Sequence, residues 1–512
     1  MSMTQGGSGA AVGRAAPAGD ADEDARQLEA LGYTSHFDRA MSLRANFALG
    51  FTYLSPVVGV YALFAFALAE AGPPMIWTFV IAGAGQFFVA LVFGEIVSQY
   101  PIAGGVYPWA RRLWGRRWAW MTGWVYAWAL LVTIASVAYG AGPFAATLLD
   151  VEASTNFVIG CALVIIAIAT AINLSGTRNL SRAAVAGFTA EIIGALVVGL
   201  YLILFEREHG PGVFFDSFDA GGDGAYVGAF LAAGLIGLYQ FYGFEACGDV
   251  AEEVPDPGRR IPRAMMMTIL VGGATALLVT AGFVMSEPDI PGVIAGDVAD
   301  PIGTTLTSVF GSVGSKIVLA VVLVSFLSCT LSLQAAASRM IYAYGRDRMI
   351  FASSTLGAFS SRLHVPPAAL AVGAAVPALI VLGSRISEDA LTRIISFAAL
   401  GIYIAFQMVV FAALVARARG WRPAGRWSLG RWGLPVNVIA LVYGIAAMVN
   451  VSWPRTPDVE WYDNWVVLLG AAIVVLGGLL YMLAARPYRH GDAPAGDAVE
   501  TATALRRRQR IA

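Results

Sequence analysis

Three carboxylates, Glu95, Glu191 and Glu245, fall inside long apolar runs, and two of the chain's apolar runs are broken. An ionised carboxylate at bilayer depth is expensive, so such groups are functional suspects by default. The first broken run, Asn46 to Leu54, is interrupted by Ser55-Pro56-Val57-Val58-Gly59 before Val60-Tyr61-Ala62-Leu63-Phe64 resumes. Pro56 has no backbone N–H and its ring clashes with the preceding turn, so a helix cannot pass through undisturbed. The second runs from about Ala225 through Gly237, passes Tyr239-Gln240-Phe241-Tyr242-Gly243-Phe244-Glu245 and continues to Gly248. Backbone groups freed at such breaks are tolerated at membrane depth only where they line a protein cavity. One break alone reads equally well as a packing kink. Two, at corresponding places in two halves, point to the central binding site of a secondary transporter.

The breaks suggest their own chemistry. A helix restarting near Val57 or Val58 would turn the N–H groups of Val57, Val58, Gly59 and Val60 toward the cavity. With the positive end of the helix dipole, they make a seat for a carboxylate. Carbonyls from Thr52 to Ser55, and from Gln240 to Tyr242, would accept from an ammonium group. Zwitterion recognition by backbone needs few charged side chains, so selectivity falls to the walls. Tyr239, Phe241, Tyr242 and Phe244 supply an aromatic wall, although any one of them can equally be helix packing. Such a cluster also suits a quaternary ammonium, at about 0.5–2 kcal/mol per cation–π contact.

The elements holding these residues belong to a membrane protein. The 512 residues are 58% hydrophobic and only 13% charged, with a mean hydropathy of +0.68, against about 25% charged in soluble proteins. The net charge of -1 offers no basic stripe for nucleic acid. Cys161, Cys247 and Cys329 lie in apolar segments and read as reduced, buried small hydrophobes. Neither a disulfide framework, a metal site nor a cofactor is expected. Twelve apolar runs near the spanning length centre on about Tyr53, Phe87, Leu130, Ile165, Ala195, Ile236, Thr275, Val324, Ala374, Tyr403, Val442 and Val475.

Arginines set the orientation. Arg111, Arg112, Arg116, Arg117, Arg178, Arg182, Arg259, Arg260, Arg263, Arg346, Arg348, Arg362, Arg417, Arg419, Arg422, Arg426 and Arg431 fall on one side; Arg207, Lys316, Arg385, Arg393 and Arg455 fall on the other. The positive-inside rule then makes both termini cytoplasmic. Residues 1–40 and 486–512 read as disordered cytoplasmic tails, and no signal peptide is expected. Trp118, Trp120, Trp124 and Trp128, with Trp453, Trp461 and Trp465, read mostly as interfacial anchors. The run Gly105 to Trp114 suits an amphipathic helix lying on the cytoplasmic leaflet.

Three motifs carry a family resemblance. Glu95-Ile96-Val97-Ser98-Gln99-Tyr100-Pro101-Ile102-Ala103-Gly104-Gly105-Val106-Tyr107 resembles the second-to-third-span signature of the amino acid–polyamine–organocation permeases. So do Gly243-Phe244-Glu245 with Ala251-Glu252-Glu253-Val254-Pro255-Asp256-Pro257 and Ile261-Pro262-Arg263-Ala264, and Ser338-Arg339-Met340-Ile341-Tyr342-Ala343 with Arg346-Asp347. The resemblance covers roughly Met41 to Ala484, and Gly50-Phe51-Thr52-Tyr53-Leu54-Ser55-Pro56 is closest to the amino acid/choline branch.

The resemblance implies an all-α membrane protein of twelve transmembrane helices. Residues 41–206 and 225–416 would form a five-plus-five inverted repeat of leucine-transporter type, and 433–485 two extra helices. It implies alternating access to a midplane site, with Tyr239 at the place of a gating aromatic. Gly59-Val60-Tyr61 matches the family's Gly-aliphatic-aromatic triplet. Glu245 stands where gating or proton-sensing roles are assigned. Glu191 stands where many members carry a lysine that replaces a sodium ion. In this chain it would carry the coupling proton, or bind sodium with Ser328 or Thr330. Glu95 is expected to pair with a loop arginine, and Asp249 with Arg259 or Arg260.

The expected function is import of an amino acid or related small amine across the cell membrane by proton symport. A choline, ethanolamine or γ-aminobutyrate carrier is the rival reading, and a non-transporting amino-acid sensor is a third. An ion channel would need a continuous pore lined by rings of charge or carbonyls. No enzyme motif appears.

Overall fold

Ten helices in this computed structural model are long and apolar enough to cross a membrane among the residues it describes, 18–34, 36–222, 226–384, 390–455 and 459–511. In chain order the helices are α1 (Ala18–Ala30), α2 (Leu43–Leu54), α3 (Pro56–Ala71), α4 (Ile76–Gln99), α5 (Val106–Leu113), α6 (Arg116–Gly140) and α7 (Gly142–Leu149). They continue as α8 (Thr155–Leu174), α9 (Thr177–Phe205), α10 (Tyr226–Gln240), α11 (Ala246–Asp249), α12 (Pro257–Ser286), α13 (Ile290–Ala295) and α14 (Pro301–Arg346). The last are α15 (Ser353–Leu356), α16 (Pro367–Gly383), α17 (Ala390–Ala418), α18 (Gly433–Ser452), α19 (Trp461–Asn464), α20 (Val466–Ala485) and α21 (Ala498–Ile511).

Two apolar helices, α10 and α16, are shorter and stand where the sixth and ninth spans were expected. The first is short because its span breaks after Gln240 and resumes only as α11. Helix starts follow local chemistry. Ser42 accepts from the Ala45 N–H at 3.2 Å to cap α2, and Asp300 accepts from Gly303 at 2.9 Å to cap α14. Within α14 the chain turns at Gly311, φ 65° and ψ -178°, a conformation open to glycine. A short preceding helix is thereby set off from the span proper.

The helices sort by depth in the bundle. α2, α3 and the second half of α10 are sheathed on nearly all sides, whereas α8, α9, α18 and α20 present Val164, Ile193, Val197, Val442 and Leu480 outward. Outward apolar side chains are what a bilayer requires, so the chain is a multi-pass membrane protein.

The terminal segments differ from the sequence expectation. Where composition predicts a disordered tail through residue 40, the chain from Ala18 forms α1, and Leu28, Leu31, Tyr33 and Phe37 are buried. Tyr33 donates to Asp347 Oδ1 at 3.0 Å. Beyond residue 486 the chain forms α21, burying Ala498 and Ala502. A few apolar side chains at helical spacing are enough to dock an otherwise polar segment.

Helix α5 is also not a surface helix. Tyr107, Trp109, Arg111 and Arg112 are all buried. Arg111 pairs with Asp347 and donates from Nε to Pro494 O at 3.0 Å, and Arg112 pairs with Asp497 at 3.2 Å. The terminal segments therefore cover the helix whose arginines sequence alone assigns to headgroups.

Tryptophans divide likewise. Trp453, Trp461 and Trp465 are exposed, but Trp118, Trp120 and Trp124 donate to Met408 O, Met349 O and Val474 O at 2.8, 2.7 and 2.9 Å. Trp118 and Trp124 tie α6 to α17 and α20, and Trp120 ties it to the segment after α14, rather than anchoring an interface. Arg385 and the side chain of Arg393 lie outside the described residues.

Candidate functional site

The first break is a single residue wide. Ser55 ends α2 and caps α3 at φ 41°, ψ 92°, a left-handed conformation that costs a non-glycine residue about 1–3 kcal/mol. Its N–H donates to Phe51 O at 2.7 Å, and its Oγ accepts from the Val58 N–H at 3.2 Å. Pro56 follows as the first residue of α3, where its missing N–H costs nothing.

The seat at the start of α3 is already filled. Glu191 Oε1, from α9, accepts from the Val57 N–H at 3.1 Å and from Ser55 Oγ at 2.6 Å. The Gly59 N–H donates to Ser55 O at 3.1 Å. The groups expected to face an open cavity at Val57, Val58 and Gly59 thus have partners within the protein, and Val60 is buried in the first turns of α3. Glu191 is fully buried, its Oε2 has no hydrogen-bond partner, and no lysine or arginine pairs with it among the described residues. A side-chain carboxylate sits where a substrate carboxylate was expected.

The carbonyls of this break are covered as well. Leu54 O accepts from Gln240 Nε2 at 3.2 Å, and Tyr53 O from Cys329 Sγ at 3.2 Å. A Cβ on Gly59 would lie 2.2 Å from Gln240 Oε1, so that amide is packed flat against the glycine. Below the break, Asn46 Nδ2 donates to Cys247 O at 3.0 Å and Cys247 Sγ to Asn46 O at 3.4 Å. This reciprocal pair fastens α2 to α11.

The second break lies between Gln240 and Ala246, with Gly243 at φ 112°. A Cβ there would come within 2.7 Å of the Leu54 nitrogen, so the two breaks touch backbone to backbone. The expected aromatic wall divides. Tyr239 and Tyr242 stack edge-on at 5.4 Å, and Tyr242 meets Tyr53 at 6.3 Å. Tyr239 Oη is 3.3 Å from Ser136 Oγ.

Phe241 and Phe244 point elsewhere. A Cβ on Gly83 or Gly273 would sit 2.8 or 2.6 Å from the Phe241 ring. Phe244 packs on Phe93 and Phe406 at 5.8 and 5.5 Å. Consecutive residues in a broken helix cannot all face one cavity, and these two serve the packing of α4, α12 and α17.

Glu245 and Asp249 form a buried acidic pair bridged by one phenol. Tyr126 Oη donates to Asp249 Oδ2 at 2.9 Å and lies 3.3 Å from Glu245 Oε1. The Gly243 N–H donates to Glu245 Oε2 at 2.7 Å. Asp249 was expected on Arg259 or Arg260, but it is buried and turns to Tyr126 instead.

Ser328 packs against Gly187, one turn before Glu191 on α9. Thr330 Oγ1 donates to Phe326 O at 2.9 Å within its own helix. Glu95 pairs with an arginine, although Arg417 stands in the last turn of α17 rather than in a loop, and it accepts from the Leu429 N–H at 2.6 Å. Sequence named Gln240 only for its carbonyl and Cys329 only as a buried small hydrophobe, and it did not single out Tyr126 or Ser136, because each is an ordinary residue in a helix until the two breaks are brought together.

Comparison with known proteins finds similarity over most of the chain. The amino acid permease family model matches residues 44–479. The Arabidopsis thaliana amino-acid permease BAT1 is 26% identical over 91% of this chain and 95% of its own. A putative amino acid/polyamine transporter of Macrophomina phaseolina is 28% identical over 76% of this chain and 90% of its own. The branched-chain amino acid permease BcaP of Lactococcus lactis is 25% identical over 86% and 94%.

Proposed function

This chain belongs to the amino acid permease family, within the amino acid–polyamine–organocation superfamily, and from that premise we propose that it is a proton-coupled importer of an amino acid or related small amine. Twelve spans in a five-plus-five inverted repeat, with two more helices and both ends cytoplasmic, give it alternating access. The juxtaposed breaks at Ser55 and at 241–245 support that architecture.

One observation carries the coupling: the Glu191 carboxylate caps the start of α3 at Val57 and Ser55 without a cationic partner. A substrate carboxylate needs the same N–H groups. Two anions cannot share them, so substrate enters as Glu191 takes up a proton and yields the seat. The ammonium group would take the carbonyls of Tyr53 and Leu54 from Cys329 and Gln240. Release of both toward the cytoplasm returns Glu191 to its cap. Substrate and proton are then bound together and lost together.

A choline, ethanolamine or γ-aminobutyrate carrier is the second reading. It rests on the meeting of Tyr53, Tyr239 and Tyr242, whose rings offer faces to an ammonium group. Uptake of labelled amino acids, choline and γ-aminobutyrate into proteoliposomes, under imposed proton or sodium gradients, separates the readings. Amino acid uptake driven by the pH gradient is expected. Uptake that needs sodium and ignores pH overturns the proton step.

A further inference from the structure

A cavity of about 760 Å³ opens at the arginine-rich end of the bundle, between the end of α14, the start of α15 and the end of α20. Arg346, Arg348 and His490 line it together with Ser353, Ser354 and Tyr481, and no carboxylate among the described residues does. Its arginines are not fully occupied. Arg346 gives Nη1 to Glu252 at 3.0 Å, but its buried Nε and Nη2 have no acceptor. Its guanidinium lies 4.2 Å over the Tyr33 ring, which fixes the plane. Arg348 meets only Asp492, at 3.2 Å, and both are largely exposed, an arrangement that surrounding water and salt screen.

The cavity adjoins an apolar shelf. Phe351 is exposed and meets Tyr481, which lines the cavity, at 6.2 Å. A cationic cavity that continues into an apolar helix face fits a molecule with a phosphate at one end and acyl chains at the other. Basic pockets between membrane helices take anionic headgroups in this way, and the exposed guanidinium of Arg348 can meet phosphate oxygens directly while Arg346 adds charge from the cavity wall.

We propose that this cavity binds the headgroup of an anionic phospholipid, held by Arg346, Arg348 and His490, with its chains lying along α20. The site is remote from both helix breaks, and the inference stands independently of the transported substrate. Occupancy would brace Arg346, whose hold on Glu252 fastens the end of α14 to the segment after α11.

The test uses the full-length protein in detergent, with dioleoyl phosphatidylglycerol, dioleoyl phosphatidylcholine or inorganic phosphate added. Native mass spectrometry should show phosphatidylglycerol retained in preference to phosphatidylcholine, and only phosphatidylglycerol should raise the apparent melting temperature. A near-surface arginine contributes about fivefold to such binding, so Arg348→Ala with His490→Ala should weaken retention by about fivefold or more. Asp492→Ala should strengthen it. Equal retention of the two lipids, or wild-type retention by the double variant, overturns the proposal. A melting shift reproduced by inorganic phosphate assigns the cavity to soluble anions and overturns the lipid reading.

Discussion

Glu191 Oε1 and the Val57 N–H, 3.1 Å apart, join the middle of α9 to the first turn of α3. Ser55 completes the arrangement from the break itself, donating to the same oxygen at 2.6 Å. A helix N-terminus favours an anion by both its orphan N–H groups and its dipole. Here the anion is supplied by the protein, so ligand binding at this end is an exchange of one carboxylate for another.

Gly59 offers a first check on that geometry. A Cβ there meets Gln240 Oε1, the far end of a flexible side chain, at 2.2 Å. Gly59→Ala should therefore insert and fold, but push Gln240 off the Leu54 carbonyl and weaken substrate affinity by roughly tenfold, about 1.4 kcal/mol. Gly59→Leu should abolish binding. The two residues touch, so their effects should not add. Gly59→Ala combined with Gln240→Ala should recover part of the affinity in equilibrium binding.

The aromatic wall gives a second. Tyr239→Leu should change substrate preference, with choline losing about tenfold if it binds, since a cation–π face is removed. Phe241→Leu should leave preference unchanged and lower stability by roughly 1–2 kcal/mol, because its ring fills the space over Gly83 and Gly273. Calorimetric titration beside thermal unfolding separates the two effects. A selectivity change in the Phe241 variant would return that residue to the site.

How much of this was legible depended on whether the signal was local. The break at Ser55-Pro56 follows from a missing N–H and a ring clash, so sequence located it. The three motifs were visible as strings, and their reason for existing appears only in space. Glu253 of the second motif bonds Arg339 of the third at 2.8 Å, and Glu252 accepts from Ala103 of the first at 3.1 Å. The inward turn of Asp249, the burial of α5 and the capture of the break carbonyls by Gln240 and Cys329 were not legible. Each depends on which face of a helix a distant segment covers, and hydropathy does not encode that. The terminal segments escaped notice because a few buried side chains carry little weight against a polar average.

Arg339 and Glu253 are both fully buried, and Thr177 Oγ1 adds a bond to Glu253 Oε2 at 2.6 Å. Arg339→Ala should destabilise the protein by about 3–5 kcal/mol, since it leaves a buried carboxylate unpaired. Arg339→Met with Glu253→Gln should recover most of that loss in thermal unfolding. A single variant as stable as wild type would mean that water reaches the carboxylate.

Glu191→Gln tests coupling most directly. An amide oxygen can keep both the Val57 N–H and the Ser55 hydroxyl, so the break should hold its shape while the titrating proton is lost. The variant should bind substrate and exchange it across a proteoliposome membrane at rates near wild type. It should fail to concentrate substrate under an inward proton gradient, because no proton accompanies the exchange at α3. Glu191→Asp is the converse control. It retains a titrating group but shortens the reach to Val57, so it should couple weakly and bind poorly. Accumulation by the Gln variant at the wild-type level would remove Glu191 from coupling. The buried pair Glu245–Asp249, bridged by Tyr126, would then be the group that carries the proton.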